Sequence, residues 1–455
     1  MNPDAAVTTS PLLALVAFVG VITVLLVLIT KWRWHVFLAL LVPLMLFGII
    51  PGVHTNNFIK AFETGFGSTL GSIGVVIVLG SIIAEALRHT GAIQTITRTM
   101  VWAIGARRMP LALTMTGFVL GIAIFSDVAY VILNPLVHSA AKLMQVPISV
   151  MSIGLVGALQ LTHAIVPPTP GPLAAAALVG ADIGTTIVFG GAACFAGSIA
   201  AWIWGQFIIG PRITTPPSDE FAGTDLLVDG GDRRLPGALS AYAPIAVPIL
   251  LISAQSVSRL FLDEDHVVRA ALAYIGWPVA ALGIGVWLAF RNIESADHRR
   301  QSTSAWIEEA LRGSAMILVV TGLGGSLSQI LKGTPAVDTI SAFFADYGLP
   351  AILLPFVIGI IGNLITGSTT VGVITAASLV APMLGTLGLS PEAAMLAGAS
   401  GSVIIKYVNS SYFWVCTSLS GLRVNDAILA YGGATLVGGV ASFLAVCSFW
   451  AMGLI

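Results

Sequence analysis

The segment at residues 148–180 reads ISVMSIGLVGALQLTHAIVPPTPGPLAAAALVG, and it decides the fold class of the chain. It contains no Asp, Glu, Lys or Arg and is longer than the roughly 20 apolar residues that one helical membrane crossing needs. Four prolines and a glycine between residues 167 and 172 cannot continue a helix, because proline lacks an N–H donor and clashes with the preceding turn. The segment therefore predicts a membrane helix that unwinds midway, which requires protein or a water-filled cavity around the break.

The whole chain has the composition of a protein dissolved in lipid. Of its 455 residues, 56% are hydrophobic and 9% are charged, and the mean hydropathy is +0.96, whereas a soluble domain has about 25% charged residues. The net charge of −1 gives no indication of nucleic-acid binding. Three cysteines without CxxC spacing indicate neither a metal site nor a disulfide framework, and the HExxH and GxSxG motifs of enzymes are absent. These features predict an all-α polytopic membrane transporter with no cofactor or metal, and they disfavour an enzyme.

Apolar runs along the chain predict about ten full transmembrane spans of the usual length. They lie near residues 11–30, 35–52, 68–88, 148–180, 185–210, 238–261, 268–290, 305–331, 390–418 and 427–453. Two further apolar stretches, 109–145 and 349–388, are too long for one span and have polar centres, so each predicts a re-entrant hairpin. No Lys or Arg precedes the run at 11–30, which favours a retained span over a signal peptide.

Basic residues at the ends of these runs predict the orientation in the membrane. Lysine and arginine are enriched in cytoplasmic loops, and one orientation places four basic clusters there: Lys31 and Arg33, Arg107 and Arg108, Arg233 and Arg234, and Arg299 and Arg300. This orientation puts the N-terminus in the periplasm of a bacterial inner membrane and the polar loop 211–237 in the cytoplasm.

The chain on either side of loop 211–237 has a similar organisation, with a hairpin followed by a broken helix. The amphipathic segment before the first hairpin (92–106) is basic, and the corresponding segment before the second (336–347) is acidic, so the two units are predicted to be inverted. Inverted-topology repeats with discontinuous helices are typical of secondary transporters that bind substrate near the midplane. The predicted layout is N-terminal scaffold helices at 1–62, a first repeat at 63–210, the cytoplasmic loop at 211–237, linking scaffold helices at 238–303, a second repeat at 304–425 and a C-terminal helix at 426–455.

The polar centre of the first hairpin and the first helix break supply two titratable candidates. Half-helix N-termini at such breaks carry partial positive charge and free N–H groups, which favour an anion. Asp127 follows Ser126 inside a long apolar stretch, and an acid at this depth indicates a functional role such as proton transfer; a cap of the turn is the alternative. His163, next to Thr162, is a second possible proton carrier, with a structural histidine that holds the loop as the alternative.

The second hairpin and the second helix break, KYVNSSYFW at 406–414, are rich in hydroxyl and amide groups. Such groups predict a neutral nest for a carboxylate, with hydroxyls bonded back to their own helices as the alternative. Lys406 either balances a substrate carboxylate or reaches the membrane interface. The candidate substrate-binding residues are Ser126, Thr162, His163, Thr169, Gly367, Ser368, Thr369, Thr370, Lys406, Asn409, Ser410 and Ser411, and the candidate proton-coupling residues are Asp127 and His163.

These motifs resemble those of the gluconate permease (GntP-type) family of proton-coupled carriers for sugar acids and D-serine. The most specific match is THAIVPPTPGPLAAAALVGADIG at 162–184, where the family reads THxLVPPHPGP, a run of small residues and GAD. FSDVAY at 125–130 is similar to the family's FxDVGFV, and GSTTVGVITAASLVAP at 367–382 is similar to GSxTVAxxTAAGLVAP. The resemblance covers nearly the whole chain, and it implies two inverted repeats, two hairpins, a homodimer and an elevator-type mechanism, as in citrate and dicarboxylate carriers.

The chain departs from the family pattern near the expected site. Thr169 stands where the family commonly has histidine, and against the family's SHVNDSGFW the chain has Lys406 for serine, Tyr407 for histidine and Ser410 for aspartate. A titratable histidine and an acid are therefore missing, and a fixed cation is gained. Asp127 and His163 remain as the proton-coupling candidates.

The sequence thus predicts a symporter that imports a small hydroxylated monocarboxylate, gluconate or a related sugar acid, together with protons. A carrier for D-serine or another small amino or hydroxy acid is the first alternative. Sodium coupling is the second, because backbone carbonyls at broken helices also bind Na⁺, and a channel or membrane-embedded enzyme is the third. The expected partners are the substrate, protons or sodium, the lipid bilayer and a second copy of the chain, with no nucleic acid.

Overall fold

The fold is an assembly of α-helices. The computed structural model describes isolated positions between residues 16 and 32, and then residues 34–49, 53–218, 235–263, 265–293, 296–331, 349–408 and 410–455. Over these residues no β-strand is present. The helices are α1 (Val36–Phe47), α2 (Thr55–Thr90), α3 (Ala92–Ile104), α4 (Met109–Leu120), α5 (Ser126–Leu143), α6 (Ile148–Ile165), α7 (Pro170–Val179), α8 (Ile183–Ile203), α9 (Ala238–Phe261), α10 (Val267–Ile275), α11 (Pro278–Phe290), α12 (Ala296–Leu331), α13 (Leu353–Thr366), α14 (Thr369–Val380), α15 (Leu384–Leu387), α16 (Pro391–Ser402), α17 (Ser411–Leu419), α18 (Val424–Ala427) and α19 (Gly433–Ala451).

Several of these helices are long and apolar enough to cross a membrane. Among the described residues there are 6 such spans, or up to 8 if each of two bent helix pairs counts as one span. The predicted all-α membrane class is confirmed, whereas the total of about ten spans stays a prediction. Most of the run at 11–30 and all of the segment at 336–347 lie outside the described residues.

The span predicted at 268–290 is divided into two helices in the structure. α10 and α11 form an angle of 63° at a short break. Pro278 begins α11, and it has no N–H with which to continue α10. Gly276 at the break packs closely on α9, where an added Cβ would lie 2.5 Å from the carbonyl oxygen of Leu251.

Each of the two predicted hairpins consists of two helical arms and a short turn. Hairpin 1 is α4 and α5 with the turn at 121–125, and hairpin 2 is α13 and α14 with the turn at Gly367 and Ser368. Gly367 has a φ of +72°, a left-handed conformation that glycine adopts without strain. The helix breaks also lie where the prolines and polar residues predict them, between α6 and α7 and between α16 and α17.

α6 lies at the centre of the protein, since all 18 of its residues are buried. Small residues allow its neighbours to approach closely. Gly154 of α6 faces Thr114 of hairpin 1, and Gly121 at the turn of hairpin 1 lies so close to Thr162 that an added Cβ would overlap the threonine hydroxyl. The C-terminal end of α6, where the helix breaks, is therefore enclosed by protein.

Candidate functional site

Several half-helix ends come together at the break that follows α6. The N-terminus of α7 packs on the N-terminus of α14. Gly171 and Thr370 lie so close there that a Cβ added to Gly171 would be 3.2 Å from the Thr370 hydroxyl oxygen. The chain between α6 and α7 contains a cis peptide bond between Pro167 and Pro168. Helix N-termini expose N–H groups and partial positive charge, so this junction suits an anionic group.

The side-chain amide of Gln160, on α6, connects the tips of both hairpins. Its Nε2 donates to the Thr369 hydroxyl of hairpin 2 at 3.1 Å, and its Oε1 accepts from the Ser126 hydroxyl of hairpin 1 at 3.3 Å. All three side chains are buried. Gln160 is absent from the residues predicted from sequence. A signal was available, because this amide stands in an apolar run and three residues before His163, which places both on one helix face.

His163, at the end of the same helix face, lines a cleft. Its ring is 7% exposed and lies 5.4 Å, centroid to centroid, from the ring of Phe125 at the turn of hairpin 1. The Nδ1 atom is buried and has no hydrogen-bond partner among the residues that the structure describes. The other walls of the cleft are mostly apolar and include residues 80, 81, 83 and 84 of α2, residues 168–170 and two prolines of α9, Pro244 and Pro248. A buried, unpartnered ring nitrogen in such a cleft is available to a ligand or a proton.

Asp127 is half-buried in the first turn of α5. Its Oδ1 accepts a hydrogen bond from the main-chain N–H of Val128 at 3.0 Å. The Asp127 carboxylate interacts electrostatically with the imidazole of His163. Lys406 also interacts electrostatically with the same imidazole. The two proton-coupling candidates therefore lie within electrostatic range of each other, on different structural elements.

The hydroxyl groups of Thr162 and Thr169 are both buried and both donate to main-chain carbonyls. Thr162 Oγ1 donates to Ala158 O at 2.8 Å, and Thr169 Oγ1 donates to Val166 O at 2.6 Å. Each hydroxyl group uses its proton in a hydrogen bond that stabilises the broken segment. Towards a ligand, each can therefore act only as a hydrogen-bond acceptor. Thr169 additionally lines the cleft beside His163.

The hydroxyl groups at the tip of hairpin 2 have different partners. Ser368 caps α14, with its Oγ accepting from Val371 N at 3.3 Å, as an N-cap serine typically does. Thr369 is bonded to Gln160, and Thr370 lies against Gly171. The tip is thus held both by its own turn and by the two halves of the first broken helix.

Lys406, at the second helix break, directs its ammonium group to hairpin 2. Its Nζ donates to Asn363 Oδ1 and to Gly367 O, each at 2.7 Å. The side chain is 2% exposed, and no carboxylate among the described residues forms an ion pair with it. The structure therefore brings Lys406 together with Gly367, two of the residues predicted from sequence.

The remaining candidates lie just beyond Lys406. Asn409 lies outside the described residues. Ser410 is 3% exposed at the start of α17, whereas Ser411 is exposed. Of these two serines, only Ser410 is therefore in the buried interior.

The closest grouping of potential metal ligands in the described part of the chain lies elsewhere. Glu85, His89 and Glu309 meet where α2 and α12 pack together. The Arg88 guanidinium contacts Glu85 at 2.6 Å and Glu309 at 2.9 Å. A positive charge is already present between the two carboxylates, so this cluster is an ion-pair network that joins the two long helices.

Comparison with known families decides the class of protein. The sequence model of one family, described as GntP family permease, matches residues 12–454 of this chain. The chain belongs to the GntP permease family. This family consists of membrane transporters, so the chain is a permease and not an enzyme.

Individual relatives of this GntP permease extend over most of its length. A gluconate permease of Pseudomonas aeruginosa is 29% identical over 416 residues, which are 91% of each chain. The D-serine transporter DsdX of Escherichia coli K12 is 31% identical over 428 residues, 92% of this chain and 94% of the relative. A solved structure, the YdaH transporter of Alcanivorax borkumensis, has a TM-score of 0.62 and 16% identity, covering 88% of this chain and 90% of that one. That likeness shows the shared transporter fold.

Proposed function

We propose that this GntP permease imports a small hydroxylated monocarboxylate, gluconate or a related sugar acid, together with protons. The observation that carries the proposal is the Gln160 amide bonded to Ser126 and Thr369, because it gathers neutral donors and acceptors from both hairpins beside a helix break. Such groups match the alternating hydroxyls of a sugar acid, and none of them repels a carboxylate. The gluconate permeases among the relatives support the same substrate class.

The proposal assigns the substrate carboxylate to the paired N-termini of α7 and α14. N–H groups and helix dipoles favour a negative charge at this position. Lys406 adds a full positive charge behind it, one hydrogen bond from Gly367. The substrate hydroxyls are assigned to Gln160, Ser126 and Thr369, with the remaining sequence-predicted residues as neighbours.

The proposed proton coupling involves Asp127 and His163. A proton taken up on the outer side by Asp127, with His163 in electrostatic contact, offsets the negative charge of the substrate. The loaded site then crosses the low-dielectric interior at a lower electrostatic cost than a bare anion. Opening of the site to the cytoplasm allows the proton to leave with the substrate.

The proposed mechanism is of the elevator type, with two inverted repeats, in an inner-membrane homodimer whose N-terminus is periplasmic. The pairing of elements supports the repeats: α2 and α12 have 36 residues each, and each precedes a hairpin and a broken helix. In such an arrangement the hairpins and broken helices move together relative to the long helices. The substrate site, formed by the hairpin tips, moves with them.

D-serine is the second candidate substrate. The D-serine transporter among the relatives is 31% identical, and Asp127 offers a carboxylate to an amino group. The same neutral cluster around Gln160 accommodates the single hydroxyl of serine. Competition between the two substrates therefore distinguishes the two assignments.

The test is uptake of radiolabelled gluconate into proteoliposomes under an inward proton gradient, with sodium absent. Accumulation that a protonophore abolishes and that excess D-serine leaves unchanged is the expected result. If D-serine strongly inhibits gluconate uptake and is itself accumulated, the amino acid is the substrate. Uptake that depends on a sodium gradient and does not depend on the proton gradient contradicts the proposed coupling.

A further inference from the structure

We propose that the ammonium group of Lys406 is a tethered cation that permanently fills a cation-binding cradle in hairpin 2. The cradle consists of Asn363 Oδ1 and Gly367 O, and the ammonium nitrogen lies 2.7 Å from each. Neutral carbonyl oxygens of this kind are the ligands by which broken membrane helices hold monovalent cations. The chain therefore supplies from its own sequence a charge that an exchangeable metal ion would otherwise supply.

The orientation of the Asn363 side chain is fixed by a second contact. Its Nδ2 donates to the carbonyl oxygen of Ile404 at 2.8 Å. Because a carbonyl oxygen accepts hydrogen bonds and cannot donate them, the amide nitrogen must face Ile404 and the amide oxygen must face Lys406. The cradle is consequently an acceptor site whose polarity does not depend on the bound ammonium group.

The position of Gly367 adds to the attraction for a cation. Gly367 ends α13 in a left-handed conformation, and the carbonyl groups at a helix C-terminus carry partial negative charge. The Lys406 ammonium thus stabilises the end of α13 at the point where the chain turns into α14. Loss of the cation removes the hydrogen bonds that Lys406 donates to two buried acceptors, and the loss of hydrogen bonds to buried acceptors destabilises a fold.

Lys406 is itself anchored to a different element. Its main-chain N–H donates to Thr435 Oγ1 of α19 at 2.9 Å. The lysine therefore ties the second helix break and α19 to the turn of hairpin 2. A buried charge without a carboxylate partner is costly unless it is well hydrogen-bonded, so the cradle and the lysine require each other.

A consequence for transport rests on the proposed function. If the chain carries its own cation at hairpin 2, sodium has no role in closing this hairpin, and proton coupling is left as the driving force. The cradle itself is independent of that function, because it concerns the stability of the protein without substrate.

The experiment measures the melting temperature of the purified full-length protein in detergent, without substrate. The salts are sodium, potassium, ammonium, methylammonium and choline chloride at equal ionic strength. The wild-type protein is expected to melt at one temperature in all of them. Lys406→Ala is expected to melt about 2–5 °C lower in choline chloride, and a small cation that enters the vacated space is expected to restore at least half of the loss.

Lys406→Met is the matched control, because its side chain fills the space but offers no donor. It is expected to melt at a lower temperature in every salt, with no restoration. A Lys406→Met variant as stable as the wild type overturns the proposal, and so does a Lys406→Ala variant that no small cation restores. A wild-type melting temperature that rises with sodium relative to choline overturns it without any variant. Failure of gluconate uptake affects only the proposed function, because no arm of this experiment contains substrate.

Discussion

Gln160 and Thr369 are separated by 209 positions in the chain and joined by a hydrogen bond of 3.1 Å from the amide nitrogen to the threonine hydroxyl. The oxygen of the same amide accepts from Ser126 on the other hairpin. A single side chain on a fully buried helix therefore couples the two hairpin tips. Any movement of one hairpin away from α6 must break one of these two bonds, and a substrate that enters between them must replace both.

Gln160→Leu is expected to impair transport strongly while leaving the protein folded. The variant removes both hydrogen bonds from the hairpin tips, and each lost bond costs about 1 kcal/mol, so gluconate uptake should fall on the order of 10-fold or more. Gln206→Leu is the matched control, because the Gln206 amide oxygen has no hydrogen-bond partner in the described part of the chain. Equal uptake by the two variants would remove Gln160 from the site.

Asp127→Asn is expected to separate substrate movement from proton coupling. The amide retains an acceptor for the Val128 N–H, so the turn of hairpin 1 should be preserved, but the side chain no longer takes up a proton. Exchange of labelled for unlabelled gluconate across the membrane should continue, whereas accumulation driven by a proton gradient should be lost. Full gradient-driven accumulation by this variant would show that Asp127 is not the coupling group.

His163→Gln is expected to alter the pH dependence of uptake. Glutamine keeps a polar group in the cleft beside Phe125 but does not titrate, so the pH profile should become flatter and the rate lower. His138→Gln is the control, since His138 contacts the Leu419 carbonyl and the Ser218 N–H, each at 2.9 Å, and its replacement should lower the melting temperature without changing the profile. An unchanged pH profile for His163→Gln would leave coupling to Asp127 alone.

The features that sequence predicted correctly are those that depend on local backbone chemistry. The prolines that follow His163 end α6 at Ile165, and α7 begins at Pro170, because proline is favoured in the first turn of a helix and disrupts the hydrogen bonds of its interior. Gly367 marks the turn of hairpin 2 for an equally local reason, its left-handed conformation. Such signals require no knowledge of distant residues.

The features that sequence did not give depend on tertiary contacts. The role of Gln160 requires Thr369 and Ser126, which only the fold brings to α6. The sequence left two alternatives for Lys406, a substrate carboxylate or the membrane interface. In the structure its ammonium donates to Asn363 and Gly367, and that direction follows from the packing of the second helix break against hairpin 2. Long-range pairings of this kind leave no periodic pattern in one chain.

Asp182 is expected to contribute a pH-dependent part of the stability. It caps α8 through a 2.8 Å hydrogen bond from Thr185 N and pairs with Arg259 at 3.3 Å. Partial burial alone would raise the pKa of Asp182, but hydrogen bonds from Ser256 and Thr185 and the charge of Arg259 hold it below its usual value.

A depressed pKa in the folded state means that this stability is fully present above the unfolded value of about 3.9 and is lost as the pH falls through the folded value. Asp182→Ala should therefore cost roughly 1 kcal/mol at pH 7, and the difference from the wild type should shrink as the pH is lowered below 4 in thermal melts. Asp265→Asn, an exposed change in the loop between α9 and α10, serves as the control. A difference that stays constant with pH would contradict a role for the Asp182 charge.

Gly401→Ala is expected to separate α16 from hairpin 2. A Cβ on Gly401 would overlap the carbonyl oxygen of Phe356 in α13, and backbone cannot move aside as a flexible side chain does. Overpacking of this kind typically costs about 1–3 kcal/mol, so the melting temperature should fall. Because α13 carries the cradle for Lys406, gluconate uptake should fall with it.

Gly385→Ala provides the comparison, since a Cβ there meets nothing within 4 Å. It replaces glycine in the short helix α15 with a better helix former, so it should leave uptake unchanged and the melting temperature equal or slightly higher. If both alanine variants behaved alike, the close approach of α16 to hairpin 2 would not be what keeps the cradle in place. If only Gly401→Ala lost stability and uptake, the packing of these two elements would be established as a requirement for the site.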